Sequence, residues 1–250
     1  MNHREVISRL KQLGKNTKPG YKEGMARFGI ESSNALGVPL PEIRKFAKEI
    51  ISSEGSPFGR KAPDVGSKLV DIEIGKNHEL ALSLWQTNIH EAKTIATLID
   101  DPKLVTENQM DDWANDFYSW DICDQCCSNL FDKTPFYKKK IIEWIKSEKE
   151  FVRRAGFVLM ATSAVHDKKA PDAQFIEYLP LIKQYSHDKR NFVKKAVNWA
   201  LRQIGKRNIS LHKHALALAK ELRQTEDKTA RWIGSDAARE LERGDLRIRH

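Results

Sequence analysis

Ten residues, Tyr118 to Cys127 ("YSWDICDQCC"), hold one tryptophan, two aspartates and all three cysteines of the chain. Such a cluster admits three chemistries: a metal or redox centre, a packed helix, or a carboxylate set beside an aromatic wall. Cys123 and Cys126 form a C-x-x-C, with Cys127 adjacent. A structural zinc site wants four ligands, usually as two spaced pairs. No second cysteine pair exists, and His212 and His214 are distant and lack the finger spacing. A thioredoxin-type reading needs a βαβ context that the sequence does not supply. The thiols therefore read as small apolar residues of a buried helix, where free cysteine is common. No metal is expected.

The carboxylates separate by position. Ser119 is a natural N-cap, which puts Asp121 in the first turn, where the helix dipole favours it. Asp124 lies four residues after Trp120, so the two share a helix face. An aromatic plane beside a carboxylate holds a cation or a developing positive charge, through the π face and through Coulomb attraction. On spacing alone, a surface aspartate beside a core tryptophan is the commoner outcome. There are six tryptophans, Trp85, Trp113, Trp120, Trp144, Trp199 and Trp232. Helix cores absorb most tryptophans, but aromatics interleaved with Lys and Arg also give nucleic-acid grooves their stacking area. The sequence holds no Gly-rich phosphate loop, no Gly-x-Ser-x-Gly, no His-Glu-x-x-His and no zinc deaminase signature, which disfavours nucleotide hydrolysis, serine hydrolysis and metalloenzyme chemistry.

The elements that must position these residues read as helices throughout. "PEIRKFAKEII" opens with Pro41 at a first turn, where the missing N–H costs nothing. The clearest loop is "SSEGSPFGRKAPDVG", near residues 52–66. After it the 3.6-residue period recurs in segment after segment, with no alternating strand, so the fold class is all-α. An internal echo adds architecture. "FVRRAGFVLM" begins at Phe151 and "FVKKAVNWAL" at Phe192, 41 residues later, and a fainter copy, "KTARWIGSDA", begins near Lys228. A period near 40 is the HEAT/armadillo range, in which helix pairs stack into a curved solenoid. One domain over 1–250 is expected, with a concave basic groove. The paired basics Arg153/Arg154 and Lys194/Lys195 recur at one place in their repeats and would form a stripe able to track a phosphate backbone.

Charge supports that partner. The net charge is +9 overall, but residues 1–132 carry 16 Lys+Arg against 20 Asp+Glu (−4), and residues 133–250 carry 27 against 14 (+13). Such asymmetry points to a polyanion, with nucleic acid ahead of an acidic membrane surface or a merely solvated basic face, because phosphate neutralisation dominates binding there. No apolar run reaches the ~18 residues of a membrane span, and "MNHREVISRL" has charges where a signal peptide needs apolar residues. A soluble, cytoplasmic protein that meets no membrane is expected, with monomer as the default state.

Together these residues resemble a known family. "GMARFGI" (Gly24 to Ile30), "ALGVPLPEIRK" (Ala35 to Lys45), "SWDICD", "FVRRAGFVLM" and "FVKKAVNWALR" occur in the order found in bacterial DNA alkylation repair proteins of the AlkC/AlkD type, a HEAT-like-repeat family. The resemblance spans most of the chain. It implies a DNA glycosylase for positively charged N3- or N7-alkylated purines in duplex DNA, working without a cofactor. By position it makes Asp124 the active-site carboxylate and Trp120 and Trp199 the aromatic walls. Arg154 would contact the DNA backbone, with Arg153, Lys194, Lys195 and Arg202 as further DNA-binding residues. Glycosylase members often carry tyrosine near the N-terminus, where this chain has Phe28, and Val38-Pro39 replaces a polar side chain. The alternative is a non-catalytic HEAT-repeat protein that binds distorted or branched DNA. A protein-binding HEAT scaffold predicts an apolar or acidic groove, against which the +13 half speaks.

Overall fold

The computed structural model describes residues 1–53 and 67–243. These form thirteen α-helices and one 3-10 turn, with no strand among the described residues. The expected all-α class is what the chain adopts. Of the loop expected near 52–66, residues 52 and 53 belong to a helix and the rest lie outside the described residues. No described helix is long and apolar enough to cross a membrane.

Contacts divide the chain into two units, Met1–Met110 with Tyr118–Leu130, and Asp111–Phe117 with Phe131–His250. The first holds α1 (His3–Lys15), α2 (Tyr21–Arg27), α3 (Leu40–Ser53), α4 (Ser67–Trp85), α5 (His90–Ile99) and α7 (Trp120–Asn129); the division falls within α6 (Glu107–Asn115). Asn2 starts α1 with a capping box, its side chain accepting from the Glu5 N–H while the Glu5 carboxylate accepts from the Asn2 N–H. Two orphan donors of the first turn are thereby satisfied.

Helix α5 is the hub of this unit, packing on α1, α3, α4 and α7. Ala92, Ile95, Ala96 and Ile99 supply its apolar surface, yet His90, Glu91 and Lys93 are buried too. Each of these residues has a partner. The Glu91 carboxylate accepts backbone N–H bonds from Leu36 (2.8 Å), Gly37 (2.7 Å) and Val38 (3.1 Å). Gly37 takes φ +83°, a left-handed conformation that lets the three donors converge and that favours glycine. The Lys93 ammonium lies over the Trp85 ring, 4.3 Å from its centroid. The His90 N–H donates to the Asn34 carbonyl (3.1 Å). The segment from Asn34 to Val38 is thus fastened to the N-terminus of α5 by four backbone groups.

The second unit holds α8 (Tyr137–Trp144), α9 (Glu150–His166), α10 (Asp172–Gln184), α11 (Asn191–Gly205), α12 (Ile209–Arg223) and α13 (Lys228–Leu241). Here α9 packs on α11 and α11 on α13, while α10 packs on α12. That is the stacking of helix pairs expected from the 41-residue echo. The echo also has a physical phase: α9 begins at Glu150 and α11 at Asn191, each after an extended N-cap residue (Lys149 and Arg190). The third copy opens α13 at Lys228, 37 residues after α11 begins. Close approach of α12 and α13 needs Gly234, since a Cβ there would lie 2.3 Å from the Arg223 nitrogen.

Candidate functional site

Helix α7 is short and two-faced. Ile122, Cys123, Cys126 and Cys127 are fully buried, whereas Trp120, Asp121, Asp124 and Gln125 are only half-buried. The 3.6-residue period produces this division, since residues at i and i+4 share a face. The cysteines are core, as expected of small apolar groups on a buried helix face. Burial pushes the Cys126 and Cys127 thiols well above their usual range, so they are protonated packing groups at neutral pH. Among the described residues, no cluster of His, Cys, Asp or Glu is arranged to hold a metal ion.

Trp120 and Asp124 stand on the accessible face. The Trp120 indole N–H donates to the Phe28 carbonyl (3.0 Å), which fixes the ring at the end of α2. Phe28 itself is exposed. Asp124 contributes its backbone carbonyl to the Ser128 hydroxyl (2.7 Å). At the next residue, the Gln125 amide oxygen accepts from Asn129 (3.1 Å) and faces the Arg44 guanidinium of α3 at 3.5 Å.

The start of α7 is held differently from the sequence expectation. Ser119 occupies the N-cap position but caps no backbone N–H. Its hydroxyl donates to Asp121 (2.5 Å), and its oxygen faces the Glu31 N–H at 3.4 Å. Asp121 also pairs with the His90 Nε2 (2.8 Å), and the His90 Nδ1 faces the Tyr118 hydroxyl (3.2 Å). Burial would raise the Asp121 carboxyl, but the bonds and charge of His90 and the Ser119 hydroxyl outweigh it and hold it below its usual range. The helix dipole is therefore not the whole account of Asp121. A network from α5 anchors the helix that bears Trp120 and Asp124. His90 and Tyr118 were missed in the sequence because their partners are about 30 positions away. The available signal was the run His90-Glu91 and Lys93 at the start of a segment that continues as the apolar-rich "TIATLI".

The residues expected to bind DNA have unequal surroundings in the second unit. Arg154 is 5% exposed, and its guanidinium donates to the Phe192 carbonyl (2.6 Å) of the next repeat. Arg153 pairs with Asp188 (2.8 Å) and Glu148 (3.0 Å) and lies over the Tyr185 ring. Burial raises the Asp188 carboxyl, but hydrogen bonds from Arg190 and Arg153 overcome this and hold it at about 2. Arg202 pairs with Glu240, which also accepts from Lys206 (2.6 Å). Lys194 lies over the Trp232 ring, 4.6 Å from its centroid, and Lys195 is exposed. Equal register in the repeats has not given equal environments: Arg154 is buried where its counterpart Lys195 meets solvent. Trp199 is half-buried on α11, with its indole N–H 3.1 Å from the Gln203 amide oxygen in the orientation that satisfies both groups. Trp85, Trp113 and Trp144 are core.

The fold and these helix pairs define an all-helical protein with HEAT-like repeats. A solved structure described as "a new family of proteins related to the HEAT-like repeat DNA glycosylases with affinity for branched DNA structures" aligns with 100% of this chain and 98% of its own, at a TM-score of 0.73 and 22% identity. At that identity the likeness shows the fold. A model of the DNA alkylation repair enzyme family matches residues 9–241, and the chain belongs to that family. Comparison with curated proteins found no match.

Proposed function

We propose that the chain is a DNA glycosylase that hydrolyses the N-glycosidic bond of positively charged N3- or N7-alkylated purines in duplex DNA. The observation that carries this reading is the pairing of Trp120 and Asp124 on the accessible face of α7, with the indole held by the Phe28 carbonyl. The chemistry suits those groups. An alkylated purine already bears positive charge, so it departs without a strong general acid. The sugar left behind becomes oxocarbenium-like, as in glycoside hydrolysis generally. Asp124 stabilises that cation electrostatically and orients the attacking water. The Trp120 π face adds cation–π attraction. Trp199, on α11, is the second aromatic the reading draws on.

For phosphate contacts the reading ranks Lys195 and Lys194 first. Arg153, Arg154 and Arg202 already have acceptors within the protein, which a phosphate would have to replace. The family membership and the C-terminal excess of Lys and Arg support DNA as the partner.

The deciding experiment measures free alkylated purine released from methylated duplex DNA by the wild type and by Asp124→Asn. Release by the wild type alone is expected, with the variant slower by about 100- to 1,000-fold, the usual cost of losing one preorganised electrostatic stabiliser. Equal release by both removes Asp124 from catalysis. No release by either, with DNA still bound, favours the second reading, a non-catalytic protein for distorted or branched DNA. One observation favours that alternative: the solved structure with the same fold is described as having affinity for branched DNA.

A further inference from the structure

Trp232 is out of place for a helix tryptophan. It is 40% exposed, while Trp85, Trp113 and Trp144 are in the core. It stands one turn into α13 at the repeat position that holds Arg154 in α9 and Lys195 in α11. The Lys194 ammonium lies over its ring at 4.6 Å. Its backbone is rigidly held, since the Asn198 amide of α11 donates to the neighbouring Ile233 carbonyl (3.1 Å) and Gly234 abuts the end of α12. An exposed indole on so stiff a mount leaves apolar area in water without adding to the core, so core formation does not account for it.

The charges around it are lopsided. Lys195, Lys228 and Arg231 are exposed, and among the described residues none of them lies within ion-pair distance of a carboxylate. The acidic groups of the same helix are already engaged. Asp227 accepts from the Thr229 and Ala230 N–H groups, Asp236 pairs with Arg239, and Glu240 pairs with Arg202 and Lys206. The patch therefore presents an exposed indole with Lys194 over its ring, Lys228 and Arg231 in the same first turn of α13 and Lys195 beside Lys194 on α11, while Asp236 and Glu240 are ion-paired and Glu226, just before the helix, is exposed.

We propose that Trp232, with Lys194, Lys195, Lys228 and Arg231, is a stacking platform for an unpaired DNA base next to its backbone phosphates. The proposal rests on DNA being the partner, as in the preceding reading, but not on glycosylase chemistry. Its logic is that every base has a π face on which an aromatic side chain can stack, while basic residues follow the strand. In a continuous duplex both faces of a base are covered by its neighbours. An unpaired base, with a face free and its backbone beside it, occurs only in a single-stranded tail, a flap or a branch.

The test uses unmodified, fluorescein-labelled DNA and the full chain. A blunt duplex and the same duplex with a short single-stranded tail are titrated at one salt concentration with wild type, Trp232→Ala and Trp232→Phe. The wild type is expected to prefer the tailed duplex. Trp232→Ala is expected to lose roughly tenfold in affinity for the tail, in line with one base–aromatic stack, with the blunt duplex changed less than about twofold. Trp232→Phe should recover most of the loss, because the ring remains. No preference in the wild type overturns the proposal. So does an equal loss on both DNAs, or no loss on either, which would assign the patch to the duplex backbone or to a protein. Because no lesion is present, failure of the excision assay leaves this result untouched, and the reverse holds too.

Discussion

Trp120 carries two loads, with its ring on the accessible face of α7 and its N–H holding the Phe28 carbonyl. Trp120→Phe separates them. The ring survives and the hydrogen bond is lost, so stability should fall by about 1 kcal/mol, the net worth of one such bond. If the bond orients the ring, single-turnover excision drops while duplex affinity, read by anisotropy, stays near wild type; parallel losses would make the bond merely structural. Arg154 invites the opposite expectation. Its guanidinium is buried against the Phe192 carbonyl, so Arg154→Ala should lower the melting temperature more than it weakens DNA binding. At this scale the sequence was only partly legible. The i,i+4 spacing placed Trp120 and Asp124 on one face, because helical geometry is local. It did not reveal that Asp121 pairs with His90, because that contact joins residues 31 positions apart.

Elements are held in place by groups that reach between them. Glu91 of α5 binds three successive N–H groups of the segment before α3. Glu91→Gln keeps the size but replaces one acceptor oxygen with a donor, and should cost on the order of 2 kcal/mol in a denaturant titration. The Asp188 clamp beside α9 gives a pH signature. Its folded value, about 2, lies below the ordinary 3.8, so the unfolded chain binds more protons between those values. The stabilisation is complete above about pH 4 and is lost as pH falls toward 2. Thermal melts from pH 5 to pH 2 should therefore fall less steeply for Asp188→Asn than for wild type. Repeat phase was readable from Phe151 and Phe192, whose helices begin 41 residues apart. What the phase could not tell was exposure, because Arg154 faces the next repeat while Lys195, at the same register, has none of that cover.

For the whole molecule the relevant quantity is the charge excess of +13 on residues 133–250. Binding through phosphates releases counterions, so affinity should fall steeply with salt. Lys195→Ala should reduce the slope of log K against log salt by about 1 if it makes one phosphate contact; an unchanged slope measured by anisotropy would exclude it. The same basic excess was legible from composition alone, whereas the internal pairing of Arg153 and Arg202 appeared only once the chain was folded. The packing of α7 has one more consequence. All three thiols lie in the first unit and are shut away from solvent. An alkylating reagent can reach sulfur only during moments when that helix comes away from its neighbours, so the labelling rate is a clock for the opening of α7. Run with and without DNA, that clock tests the proposed site: slower labelling with DNA is expected if the strand lies on the helix of Trp120 and Asp124.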